Sequence, residues 1–240
     1  MVDQKAAQGM IIEEPREKFD ALSNRIQKTS RELPITAAIL NGGKSRRFGG
    51  IDKQTLEFAG IALGAKIAQT LRSIVQELLI VGRPHAMYQT YADGQFIDEA
   101  QGRGPLSGLV CALLHAKFDW VFLCASDMPF VSQRLIRYLY DKADSGNSES
   151  IVCEYEAVVQ PFFALYHRTL LKELLVALES QKNTSIQQVI LRGKSTIVEE
   201  NELKSICNPP LVFCNINDDA SYQDALRQAS WNGFSESSRV

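Results

Sequence analysis

The chain has 240 residues, 45% of them apolar and 22% charged, the profile of an ordinary globular protein rather than a disordered or fibrous one. Its 26 Lys and Arg stand against 28 Asp and Glu, and a net charge of −2 argues against a general nucleic-acid surface, so any anion binding must be local. No apolar run approaches the ~18 residues of a membrane span and no apolar segment of a secretory signal opens the chain, so neither a membrane nor export is expected. The five cysteines, at 111, 124, 153, 207 and 214, form no C-x-x-C pair, which predicts a reducing cytoplasm, no disulfide framework and no zinc site.

Residues 1–34 are polar, with a helix expected over 13–28 that brings Phe19, Leu22 and Ile26 near one face. They read as an N-terminal extension to a domain spanning 35–230, with 231–240 a polar tail. Ile35 to Leu40 is apolar at almost every position, as in a strand buried on both faces of a parallel sheet. Leu63, Ile67, Leu71 and Ile74 recur at helical spacing and lead to a second strand at Glu77 to Val81, ended by Gly82-Arg83-Pro84. A short third strand, Gln95 to Ile97, closes at Asp98. Leu106 to Ala116 reads as a helix, on which Cys111 and His115 are taken as packing residues. Asp119 to Cys124 is a fourth strand, ending at Asp127, and Ser132 is placed to cap the next helix. Ile151–Cys153 and Ala157–Val159 predict a hairpin that continues as strand through Phe162 to Tyr166. Leucines from 170 to 178 form a helix, and Asn183 to Leu191 a shorter one capped by Thr184 and Gln187. Ser195–Val198 and Leu211–Cys214 are expected strands before a final helix carrying Tyr222, Ala225, Leu226 and Ala229. The alternation predicts an α/β fold with a doubly wound, mostly parallel sheet and a small β-hairpin insertion. In such sheets ligands bind at the carboxyl ends of strands, where the loop after Leu40, Asp98 and Asp127 all fall.

That loop carries Gly42, Gly43, Gly49 and Gly50 with Lys44, Arg46, Arg47 and Lys53. Glycines let backbone N–H groups turn toward an anion, and the cations offset its charge, so a phosphate-bearing ligand is expected. Gly43-Lys44-Ser45 imitates the end of a P-loop, but its leading glycine would fall at Ala38, inside the strand.

The stretch LNGGKSRRFGGIDK (40–53) resembles the L-x-G-G-x-x-x-R-x-G-G-x-D-K signature of the molybdenum cofactor guanylyltransferases, members of the Rossmann-like nucleotidyltransferases. Asn41 stands where that family usually has Ala. Gly104-Pro105-Leu106-Ser107-Gly108, Cys124-Ala-Ser-Asp127-Met-Pro129-Phe130, Gln160-Pro161 through Tyr166, and Asn215-Ile-Asn217 resemble further family motifs in the same order, together spanning 35–228. The resemblance implies transfer of GMP from GTP to the phosphate of molybdopterin, with Mg²⁺ as cofactor and pyrophosphate leaving. It implies nucleotide contacts by Leu40, Asn41, Gly42, Lys53, Asp98 and Asp127. Catalytic roles fall to Arg47, Lys53 and Asp127, with Asp127 holding the metal. Asn215 and Asn217 fall on the side of the metal or the pterin, although Asn217 before two aspartates equally suits a helix cap. Molybdoenzymes or cofactor-delivery proteins are the implied partners. Alternatives are a cytidylyltransferase for the same cofactor or a sugar-phosphate nucleotidyltransferase and, in another class, a non-catalytic nucleotide-binding regulator.

Overall fold

The computed structural model describes residues 32–42, 52–98, 104–179 and 184–231. The expected helix at 13–28, nearly all of the 1–34 extension, Gly43, Lys44, Arg46, Arg47, Gly49, Gly50 and the tail after Trp231 lie outside the described residues.

The first apolar run of the domain forms an interior strand of the sheet. Strand β1 (Leu33–Asn41) pairs in parallel with β4 (Val75–Gly82) on one side and β6 (Trp120–Ala125) on the other. Beyond β4 lies β5 (Gly94–Phe96), also parallel. Beyond β6 the direction reverses. β8 (Val158–His167) is antiparallel to both β6 and β7 (Ser150–Tyr155), and β9 (Ser195–Val198) closes the edge parallel to β7. The order is therefore β5-β4-β1-β6-β8-β7-β9, a seven-stranded and mostly parallel sheet. The small separate antiparallel sheet is β2 (Glu57–Phe58) with β3 (Ile61–Ala62). The hairpin expected near 151–159 instead belongs to the main sheet. Its turn places Glu156 and Ala157 at φ +52° and +58°, the twist a two-residue hairpin demands.

Period-two alternation along β1 shows why both faces must be covered. Ile35, Ala37 and Ile39 enter one core and Ala38 the other, all fully buried. On the first face pack α1 (Leu63–Arg72), α3 (Gln133–Asp144), α6 (Glu200–Ile206) and α8 (Asp219–Trp231), contributing Ile67, Leu135, Leu203 and Ala225. On the second lie α2 (Pro105–His115), α4 (Leu171–Glu179) and α5 (Ile186–Arg192), contributing Leu109, Leu174 and Val189. Ser132 caps α3 as expected, accepting from Leu135 N at 3.2 Å.

Two local expectations need correction, and one helix is new. Leu211–Cys214 is no strand: Pro209 and Pro210 open a helical turn, α7 (Pro209–Val212), where their missing N–H groups cost nothing. The cap of α5 shifts by one residue. Ser185 and Gln188 bond reciprocally at 3.2 and 3.1 Å, while Gln187 donates to the Val159 carbonyl. Helix α6 was not anticipated, because only Leu203 and Ile206 of it are buried. Among the described residues no helix is long and apolar enough to cross a membrane.

Candidate functional site

Parallel pairing brings the C-terminal ends of β5, β4, β1 and β6 to one rim. Their following residues line a cleft of about 860 Å³ that holds Leu40, Asn41, Gly42, Asp98, Asp127, Asn215 and Asn217. Asn41 is 1% exposed and joins β1 to the end of β4 twice. Its carbonyl accepts from Arg83 N at 2.8 Å and its Nδ2 donates to the Arg83 carbonyl at 2.5 Å. Strand β4 approaches this closely because Gly82 sits at φ +120° with no side chain to collide with Asn41. On the other flank Ser126 N donates to the Leu40 carbonyl, tying the Asp127 loop to the same bend.

Lys53 reaches this rim from the far side of the glycine-rich segment. Its Nζ lies 2.6 Å from Asp127 Oδ2 and 3.3 Å from the Ile216 carbonyl. The two charged side chains are 19% and 20% exposed, so solvent screens them less than a surface pair. The lysine is held by its neighbours. Asp52 Oδ1 accepts from the backbone and side-chain nitrogens of Gln54, and the buried Gln54 Oε1 accepts from Tyr88 Oη at 2.6 Å. Burial pushes the Tyr88 hydroxyl well above its ordinary pKa, with Asp52 adding to the shift, so it stays a donor.

Asp98 follows β5, and Ser107 of α2 holds it, with Oγ 2.5 Å from Asp98 Oδ2. Ile216 N donates to the Asp127 carbonyl, which carries the flanking Asn215 and Asn217 to the cleft. The cap of α8 comes from Asp218, whose Oδ1 accepts from Ser221 N at 2.9 Å; Asn217 instead donates through its backbone to Ser221 Oγ. Cys111 and His115 meet on α2, where the imidazole stacks on Phe96 at 3.9 Å, as packing residues would. Burial raises the pKa of Cys124 beneath the site and of Cys153, which keeps both as thiols.

Of the sequence-derived candidates, the structure thus gathers Leu40, Asn41, Gly42, Lys53, Asp98, Asp127, Asn215 and Asn217 around one cleft, and Arg47 is outside the described residues. Sequence reasoning missed Arg83, Asp52 and the Gln54–Tyr88 pair. Arg83 follows the carboxyl end of β4 as Asp98 follows β5 and Asp127 follows β6, so its strand-end position is the signal that marks it in the sequence.

One atom bears on metal binding. Among the described residues Asp127 Oδ1 is buried without a hydrogen-bond partner, as is the amide oxygen of Asn41, and the carboxylate oxygen is an uncompensated hard donor of the kind a divalent cation takes. Among the described residues no three or more His, Cys, Asp or Glu side chains gather into a cage. A single carboxylate suits Mg²⁺, which keeps waters and draws further oxygens from substrate phosphates.

The sheet, its helices and a lysine–aspartate pair at the β1–β6 rim place the chain among the nucleotidyltransferases of Rossmann-like fold. The family is specific: the MobA-like NTP transferase domain matches residues 37–196, and the chain belongs to that family. A probable molybdenum cofactor guanylyltransferase of Methanosarcina acetivorans is 28% identical over 200 residues, covering 79% of this chain and 89% of its own. A molybdenum cofactor guanylyltransferase of Pseudomonas putida is 35% identical over 161 residues, covering 66% of this chain and 83% of its own. The crystal structure of molybdopterin-guanine dinucleotide biosynthesis protein A from Archaeoglobus fulgidus shares the fold. Its TM-score is 0.69 at 24% identity, over 82% of this chain and 99% of that one.

Proposed function

We propose that this enzyme transfers GMP from GTP to the terminal phosphate of molybdopterin. An acceptor phosphate oxygen bonds to the α-phosphorus, the α–β phosphoanhydride bond breaks, and pyrophosphate leaves with that electron pair. The observation that carries the proposal is Lys53 and the half-satisfied Asp127 carboxylate meeting beside the bend of Leu40, Asn41 and Gly42.

Phosphoryl-type transfer asks a protein mainly to position its reactants and offset developing charge. Leu40, Asn41 and Gly42 hold the nucleotide against the end of β1, and Asp98 contacts the nucleoside. Lys53 is positioned to exchange part of its bond with Asp127 for a phosphate oxygen, and Arg47 acts with it near the α-phosphate. Asp127 would hold Mg²⁺, which supplies charge neutralisation for the departing pyrophosphate. Asn215 and Asn217 face the acceptor. The same reading places the enzyme in the cytoplasm, with molybdoenzymes or cofactor-delivery proteins receiving the product.

The test is pyrophosphate release with Mg²⁺ and molybdopterin as acceptor, run in parallel with GTP and CTP. GTP is expected to support turnover and CTP to be poor. Preference for CTP overturns the guanylyl assignment, and undiminished transfer by Asp127→Ala overturns the metal role. Chelation by EDTA is expected to stop turnover and added Mg²⁺ to restore it.

A further inference from the structure

Arg83 is the cationic side chain among the described residues that line the cleft, and none of the roles above uses it. Its backbone is immobilised. Both its N–H and its carbonyl are bonded to Asn41, Gly82 precedes it, and Pro84 restricts it to extended conformations. Its guanidinium is the opposite, with a side chain 64% exposed and Nη1 only 3.5 Å from Asp52 Oδ2 among the described partners. A fixed backbone carrying a weakly engaged fork at the mouth of a cleft suits a ligand contact better than a structural ion pair.

The order of the strands says which part of a nucleotide it meets. Lys53 and Asp127 mark the phosphate end, after β6, and Asp98 stands after β5. From β6 to β5 is three strand spacings of about 4.8 Å, on the order of 14 Å, comparable with an extended nucleoside triphosphate. The end of β4 lies between β1 and β5, on the nucleoside side of that span. An arginine there meets a base edge or ribose rather than the transferred phosphate.

We infer that Arg83 is a specificity-determining residue, its guanidinium donating a bidentate pair of hydrogen bonds to O6 and N7 of the guanine. This rests on the guanylyl reading and deepens it. Guanine and hypoxanthine offer two acceptors on that edge. Adenine offers one acceptor and a donor amino group that opposes the guanidinium, and cytosine has no such edge. Asp52 orients the fork without being displaced.

The test titrates GTP, ITP, ATP and CTP with Mg²⁺ against the full chain and against Arg83→Ala and Arg83→Lys by calorimetry. Thermal melting checks that the variants are folded, as expected for so exposed a side chain. The wild type is expected to prefer GTP and ITP. Both variants should lose about tenfold or more for GTP and ITP and little for ATP, so that the GTP-to-ATP ratio falls by about the same factor. Lysine should not rescue, because it keeps the charge and lacks the fork. Equal losses for all four nucleotides identify a phosphate contact and overturn the inference, as does an unchanged GTP-to-ATP ratio or full rescue by lysine. A wild type that binds CTP or ATP as tightly as GTP overturns the guanylyl assignment itself, and this inference with it.

Discussion

Gly82→Ala is the sharpest test of how the strands build the nucleotide bend. An added Cβ would lie 2.8 Å from the Asn41 carbonyl carbon, closer still to its oxygen, and 3.2 Å from Gly42 N. These are backbone atoms and cannot rotate aside. Relief requires the ends of β1 and β4 to separate, at the expense of the 2.8 Å bond from Arg83 N and the 2.5 Å bond from Asn41 Nδ2. Holding a non-glycine residue at φ +120° costs about 1–3 kcal/mol. Each hydrogen bond lost adds about 1 kcal/mol. The total is about 3–5 kcal/mol, which lowers Tm by roughly 6–20 °C at 2–4 °C per kcal/mol for a domain of this size. Gly60→Ala is the control. It too has positive φ, but nothing lies within 4 Å of its added Cβ, so only the backbone strain applies. Thermal melting and titration with GTP and Mg²⁺ read both variants. Gly82→Ala is expected to melt well below Gly60→Ala and to bind GTP more weakly at temperatures where both are folded. A Gly82→Ala protein that melts with the wild type and binds GTP normally refutes the close approach of the two strands at this bend.

Lys53→Ala is expected to reduce transfer about a hundredfold, the scale of losing one preorganised charge partner, in a steady-state pyrophosphate assay with both substrates saturating. Tyr88→Phe leaves the buried Gln54 oxygen unpartnered and should destabilise the protein by about 1–3 kcal/mol in denaturant melts, with a higher KM for GTP as Lys53 loosens. Cys124 and Cys153 are buried with raised pKa values, so a thiol reagent at pH 8 should spare both until denaturant is added, as peptide mass mapping would show. The Lys204 ammonium, then the Glu156 N–H, hold the Glu200 carboxyl below its ordinary pKa. That stabilisation is present above the unfolded carboxyl value and is lost as pH falls through the lower folded one. Melting curves of wild type and Glu200→Gln should therefore differ at pH 7 and draw together progressively as pH falls below the unfolded carboxyl value of about 4.3.

The central strands were legible because a strand buried on both faces leaves an unbroken apolar run, as in Ile35 to Leu40. The later segments were less so, for reasons visible in particular residues. Thr184-Ser185 and Gln187-Gln188 offer two equivalent capping registers. The choice falls to burial of Ile186, Val189 and Ile190 and to the bond from Gln187 to Val159, which no local pattern contains. Leu211 to Cys214 is too short for periodicity to separate a strand from one helical turn. The decision lies just upstream, where Pro209 and Pro210 favour the start of a helix.

The site shows a different limit. Strand-end placement alone found Asp98 and Asp127, but the contact of Lys53 with Asp127 spans 74 residues of sequence and has no signature in spacing. Asn215 and Asn217 make the point most clearly. The strand expected just before them does not exist, yet both reach the cleft, because Ile216 between them hydrogen-bonds at each end, N–H to the Asp127 carbonyl and carbonyl to Lys53. These two backbone bonds, together with the fully buried Ile216 side chain, hold the segment at the rim although no strand precedes it. It follows that the Lys53–Asp127 pair and the segment 215–217 should respond together. Replacing Lys53 with methionine is expected to increase amide exchange at Ile216 and Asn217, and unchanged exchange there would show that the two are held independently.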